Sequence, residues 1–167
     1  TPLRTDSTLK KIAVFADVQN IYYTTRQAYG RQFNYRKLWD RIKTQGVIVS
    51  ATAYAIHRGD DKQLKFQNTL KEIGFNVKLK PFIQRSDGSA KGDWDVGITI
   101  DVLDAAPRVD QVVLASGDGD FDLLLERIRR NHPLITTVYG VPGLTAQSLI
   151  RATDRFRPIE AELLLRN

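Results

Sequence analysis

Alternating strand and helix signals predict an α/β chain, a three-layer α/β/α sandwich around a mostly parallel central sheet. Three observations carry that prediction. Short apolar runs rich in β-branched residues recur at Lys11–Ala16, Val47–Ile56, Phe75–Ile83, Gln111–Ala115 and Leu134–Tyr139. Segments with helical spacing separate them: Ile21–Tyr29 with Tyr35–Thr44, Asp60–Ile73, Asp93–Ala105 and Phe121–Asn131. Gly46, Gly74, Pro107 and the pair His132-Pro133 punctuate the returns. Strands separated by helices of this length form βαβ units, and right-handed crossovers then lay helices on both faces of the sheet. Leu144–Ala152 reads as a further helix and Phe156–Leu165 as a closing strand or helix. The polar, glycine-bearing stretch 85–92 reads as a mobile loop.

Length and composition narrow the function classes. A chain of 167 residues, 42% hydrophobic and 26% charged, is read as one globular domain over residues 11–167 behind a short extension at 1–10. The chain starts at Thr1 and holds no methionine, so it is expected to begin downstream of the gene product's start. No apolar run approaches the ~20 residues of a membrane span, and the first residues lack the apolar core of a secretory signal. These features predict a cytoplasmic chain. The absence of cysteine excludes disulfides and thiolate metal sites, and His57 and His132 alone argue against a zinc site. A metal here would take oxygen ligands, which favours Mg²⁺ or Mn²⁺. The net charge of +6 suggests a polyanionic partner, most often nucleic acid, although the same surplus serves solubility.

The acids fall where such a fold holds its ligands. The run Gln111–Ala115 stops at Ser116-Gly117 and is followed by Asp118, Asp120 and then a helix pattern. Lys11–Ala16 likewise ends in Asp17, with Asn20 three residues on. Both sets therefore sit at the carboxyl ends of strands, the ligand edge of open α/β sheets, and they become neighbours if the fourth strand pairs with the first. Asp118 alone reads as a helix N-cap and Asp120 as a first-turn acid, each a structural role of about 1 kcal/mol. Asp17, on a different strand, is not explained that way. Two carboxylates ~4 Å apart repel by about 4 kcal/mol at an effective dielectric near 20, so a cluster argues for a cation among them. Asp93 reads as the N-cap of the next helix, and Asp95 in its first turn is directed back toward the loop, within reach of the same cleft. Asp101 is a secondary candidate, and Asp122 reads as a solvated first-turn charge.

Three motifs in this order, Phe15-Ala16-Asp17-Val18-Gln19-Asn20, Lys91-Gly92-Asp93-Trp94-Asp95-Val96 and Ser116-Gly117-Asp118-Gly119-Asp120-Phe121, resemble the NYN branch of the PIN-like nuclease superfamily, in its LabA-like group of bacterial proteins. Ser148-Leu149 and Asp154-Arg155-Phe156 resemble the family's closing segment, so the likeness covers about residues 11 to 160. The chain departs from the pattern at Val18, where a small residue is common, and at Gly119, where serine is. The resemblance implies a sheet of order 3-2-1-4-5, one or two Mg²⁺ or Mn²⁺ ions, and hydrolysis of RNA phosphodiesters. Carried over by position, Asp17, Asp95, Asp118 and Asp120 would be the metal ligands. Asn20 would orient a metal-bound water or a phosphate oxygen.

Strands two and three end at the same edge as the acids, and basic residues follow them. Arg58, Arg85 and Lys91 are each ordinary loop charges alone; together they make a candidate phosphate track for single-stranded or structured RNA. Trp94, between two acids, is a candidate base-stacking residue, with core packing as its alternative. Tyr22, Tyr23 and Tyr29 offer the same choice between stacking and packing. The function predicted is a metal-dependent ribonuclease. Its alternative is a catalytically weak or inactive RNA-binding regulatory or adaptor domain. A phosphohydrolase with a nucleophilic aspartate ranks lower, because Gln19 stands where that chemistry wants a second acid. Homodimerisation or a protein partner stays open.

Overall fold

Ile12, Val14 and Ala16 of the first strand, β1 (Lys11–Asp17), enter one hydrophobic core, while Ala13 and Phe15 enter another on the opposite face. All five are buried. A strand apolar on both sides must lie inside a sheet covered by helices on each face. The computed structural model describes residues 9–57, 59–81, 83–84, 90–91 and 93–166, and within them it has this architecture.

From β1 the chain passes through helices α1 (Val18–Tyr29) and α2 (Tyr35–Lys43) to strand β2 (Val47–His57). Helix α3 (Asp61–Ile73) then leads to β3 (Asn76–Pro81). A small hairpin, β4 (Ile83–Gln84) and β5 (Ala90–Lys91), stands apart from the main sheet. Helix α4 (Asp95–Ala105) crosses to β6 (Gln111–Ala115), followed by α5 (Asp122–Asn131) and β7 (Ile135–Gly140). Helix α6 (Gln147–Ala152) and β8 (Arg155–Pro158) close the fold. The six strands of the main sheet run β3-β2-β1-β6-β7-β8, every neighbouring pair parallel. The expected order 3-2-1-4-5 is present and gains a sixth strand, because the closing segment extends beside β7 and then turns into a short 3₁₀ helix at Ala161–Leu163.

Helices α1 to α3 pack on one face through Ile21, Leu38, Ile42 and Leu70, and α4 to α6 on the other through Ile98, Val102, Leu125, Ile128 and Leu149. Each such fully buried Ile or Leu stabilises by roughly 1.5–3 kcal/mol. The chain changes faces between β3 and β6, which makes the β1–β6 boundary the switch point, with Ala16 opposite Ala115.

Several boundaries differ from expectation for local reasons. Helix α1 begins at Val18 directly out of the strand, so Asp17 ends β1 and stands at the helix N-cap position. Asp60 lies outside α3 as its N-cap, accepting from Gln63 N at 2.7 Å. Helix α6 starts at Gln147 and not at 144, because 141–146 are folded into a turn tied by Thr145 to the Val141 carbonyl. Ala90–Lys91 pairs with Ile83–Gln84 as a strand, whereas the rest of the expected mobile loop 85–92 lies outside the described residues. Among the described residues no helix is long and apolar enough to cross a membrane.

Candidate metal centre

Strand pairing of β1 with β6 brings Asp17 beside the turn that carries Asp118. The fit is made by Ser116, which is fully buried: its hydroxyl donates to Asp17 Oδ2 at 2.9 Å and accepts from Asp118 N at 3.1 Å. Gly117 donates its N–H to Asn20 Oδ1 at 2.8 Å, and its carbonyl accepts from Ala146 N at 3.0 Å. A Cβ at 117 would lie 2.6 Å from the Leu144 carbonyl oxygen, so only glycine lets the 141–146 turn close on this motif. The N-terminus of α4 supplies the third acid. Carboxylate oxygens of Asp17, Asp95 and Asp118 all lie within 4.8 Å of one another.

Electrostatics report the same crowding. Burial pushes the Asp17 carboxyl up to about 6, and the charges of Asp118 and Asp93 add to the effect, against the lowering influence of Ser116 and the Asn20 backbone amide. Asp95 is pushed up to about 7, first by desolvation, then by Asp118, by a hydrogen bond to Asp120, and by the charges of Asp93 and Asp17. Both shifts mark groups held together at a cost that a cation would remove.

The donor set fits a small hard cation. Three carboxylate oxygens within 4.8 Å of one another, with no nitrogen or sulfur donor among them, suit an ion that prefers oxygen ligands. Asp17, Asp95 and Asp118 are thus compatible with a divalent metal, and all their ligand atoms are hard oxygens.

The other predicted residues sort as follows. Asp120 is exposed at the rim, its N–H bound to Asp118 Oδ1 at 2.9 Å and its carboxylate beside Asp95. Asn20 uses its Oδ1 on Gly117, which leaves its NH₂ without a partner among the described residues. Trp94 is half-buried: its indole N–H donates to the Ala55 carbonyl at 2.8 Å and its ring meets Tyr54 edge-on at 5.4 Å. Arg58, Arg85 and the Lys91 side chain lie outside the described residues. Asp101 belongs to a different group, where it accepts from Lys78 at 2.6 Å and from Tyr54 at 2.7 Å. Burial would raise its pKa, but these two partners overcome that and lower it. Asp154 is structural as well, pairing with Arg129 at 2.8 Å and accepting from Thr136 N at 2.8 Å.

Three residues matter more here than their sequence positions indicated. Asp93 is not the N-cap of α4, a position held by Trp94; its Oδ1 accepts from Asp95 N at 3.3 Å and its charge acts on both Asp17 and Asp95. Ser116 had a visible signal in its place between strand and glycine, but its link to Asp17 needs the strand pairing. Lys80 had none. From β3 it donates to the Asp93 carbonyl at 3.1 Å and holds its ammonium 4.6 Å from the Trp94 ring centroid, beside the acids.

The sequence model of the NYN domain matches residues 11–160, nearly the whole fold just described. This chain belongs to the NYN domain family. Within it the chain falls in the LabA-like group. The Low amplitude and bright protein LabA of Synechococcus elongatus is 31% identical over 154 residues, covering 87% of this chain and 82% of that protein. A crystal structure of a protein of unknown function from Vibrio parahaemolyticus is 53% identical and superposes with a TM-score of 0.90, over 95% of this chain and 98% of that one. Gly119 finds a local reason in the packing of this turn. A Cβ there would lie 2.8 Å from that of Ala146, so this NYN domain packs its 141–146 turn where a serine side chain would begin.

Proposed function

We propose that this NYN domain is a metal-dependent ribonuclease that hydrolyses RNA phosphodiester bonds at the Asp17–Asp95–Asp118 cluster, with Mg²⁺ or Mn²⁺ as its ion. One observation carries the reading: three carboxylates from three separate elements converge within 4.8 Å. A divalent ion bound there supplies positive charge to the scissile phosphate and its leaving oxygen and makes water a better nucleophile at neutral pH. The chain's own groups do the rest. Ser116 fixes the Asp17 carboxylate, and the Gly117–Asn20 bond fixes the amide whose NH₂ donates to a phosphate oxygen. Asp120, at the rim beside Asp95, accepts or relays a proton. The ammonium of Lys80 neutralises a flanking phosphate, and Arg58, Arg85 and Lys91 serve the same end in this reading. Trp94 borders the site and carries the Lys80 ammonium 4.6 Å from its ring centroid. The net charge of +6 supports a polyanionic substrate around an acidic centre.

Cleavage of an end-labelled single-stranded RNA tests the proposal. Hydrolysis should require Mn²⁺ or Mg²⁺, stop with EDTA, and fall about a hundredfold or more in Asp118→Asn. Hydrolysis unchanged in that variant would sink the assignment. Salt-sensitive RNA binding with no cleavage would favour an RNA-binding adaptor.

A further inference from the structure

At the C-terminal end of α1, away from the acids, lies a cavity of about 500 Å³ lined by Tyr22, Arg26, Arg31, Gln32 and Arg166. Backbone pairing builds its floor. Leu165 N donates to the Gln32 carbonyl at 2.8 Å, and Phe33 and Leu164 form an antiparallel bridge, which fixes the C-terminal segment against the loop after α1. Three guanidiniums therefore share one opening. Arg26 donates to the Tyr22 hydroxyl at 2.8 Å, with its guanidinium 5.7 Å from the ring centroid. Arg31 is anchored by Nε to the Leu165 carbonyl at 2.9 Å, which leaves its terminal amino groups as free donors. Among the described residues no carboxylate lies within 4.0 Å of any of the three. Arg26 in the last turn complements the α1 dipole, but that role explains neither Arg31 nor Arg166.

Guanidinium forks match phosphate oxygens geometrically. The cavity lies within the ~300–1,000 Å³ usual for small-ligand sites and far exceeds a lone phosphate. Tyr22, 43% exposed, offers a ring face to a base, and the Gln32 amide offers a donor and an acceptor to its edge. We infer that this cavity is a second binding site, for a nucleoside phosphate, with the phosphate on Arg31 and Arg166 and the base against Tyr22. The nucleotide is either free or a unit of an RNA strand. Helix α1 links the two sites, since Asn20 meets the acidic turn and Arg26 follows six residues, or ~9 Å, further along the axis. The binding is independent of whether the acids cleave RNA, and its readout is affinity.

Titration calorimetry on the whole chain in EDTA separates the cases, with AMP, inorganic phosphate and a ten-nucleotide single-stranded RNA as probes. Arg31→Ala/Arg166→Ala removes the two guanidiniums assigned to the phosphate and should weaken AMP binding at least tenfold if the ligand is a free nucleotide. If it is a strand unit, AMP shows no saturation while RNA affinity falls by that factor and the salt slope becomes shallower by roughly 0.7 for each phosphate no longer neutralised. The control Arg127→Ala/Arg130→Ala on α5 should leave these affinities within twofold, and Arg166→Lys should recover part of the loss. Equal losses in the control, arginine-independent affinity for both probes, or phosphate binding as tightly as AMP would overturn the inference.

Discussion

Replacing Asp17 by asparagine should stabilise the metal-free protein at neutral pH while destroying its metal site. Asp17 is only 7% exposed, and its carboxyl is raised from 3.8 to about 6. A shift of about 2 units at ~1.36 kcal/mol each makes the ionised form about 3 kcal/mol costlier folded than unfolded. The sign follows from proton uptake. The folded chain binds this proton more tightly, so the group's contribution is fully present below about pH 3.8 and is lost as pH rises through about 6. Roughly 1.4 kcal/mol of the loss falls between pH 5 and pH 8. Asparagine keeps an oxygen for the Ser116 hydroxyl and removes the charge. Urea unfolding in EDTA should therefore show Asp17→Asn more stable by up to ~3 kcal/mol at pH 7.5, or about 6–12 °C in Tm, with the gain nearly halved at pH 5. Excess Mn²⁺ should stabilise the wild type, by about 2.7 kcal/mol at a hundred times its Kd, and the variant far less. A variant equally or less stable than wild type at pH 7.5, or a difference that does not change with pH, would refute the reasoning.

Further outcomes follow from the same geometry. Because Asp17 and Asp95 are raised to about 6 and about 7, metal binding near neutral pH should release protons; calorimetry in buffers of different ionisation enthalpy should detect them, and affinity should rise roughly tenfold or more from pH 6 to pH 8. Gly117→Ala places a Cβ 2.6 Å from the Leu144 carbonyl oxygen, so thermal unfolding should show a loss of about 1–3 kcal/mol, with reduced cleavage as the Asp118 turn shifts. Arg85→Ala should weaken RNA binding and make its salt slope shallower by about 0.7, measured by fluorescence anisotropy across a salt series.

Much of this was legible in the chain because its signals are local. The β1 and β6 runs are short, apolar on both faces and ended by acids, so strand, turn and ligand edge could all be read from neighbours in sequence. Convergence of Asp17 and Asp118 followed once those strands were placed side by side, and Asp95 joins them from the first turn of α4. What escaped depends on packing between distant segments. The start of α6 is set by Thr145 and by the Ala146–Gly117 hydrogen bond, neither of which leaves a periodic trace. Asp93 looked like a cap because caps are the commonest use of that residue before a helix, yet one position of offset turns it into a member of the acidic group. Asp101 had the right residue type on the right helix, but Lys78 and Tyr54 from neighbouring strands claim it. Lys80 is the converse, a strand lysine with no motif, brought beside Asp93 by the crossover.

The most direct test of a metal centre at the switch point is diffraction from crystals soaked in Mn²⁺, recorded for its anomalous signal. The account predicts one strong peak, or two adjacent ones, among the carboxylate oxygens of Asp17, Asp95 and Asp118, lost in Asp118→Asn. Full soaking with no peak at these three residues, or a peak held elsewhere and unaffected by the substitution, would contradict it.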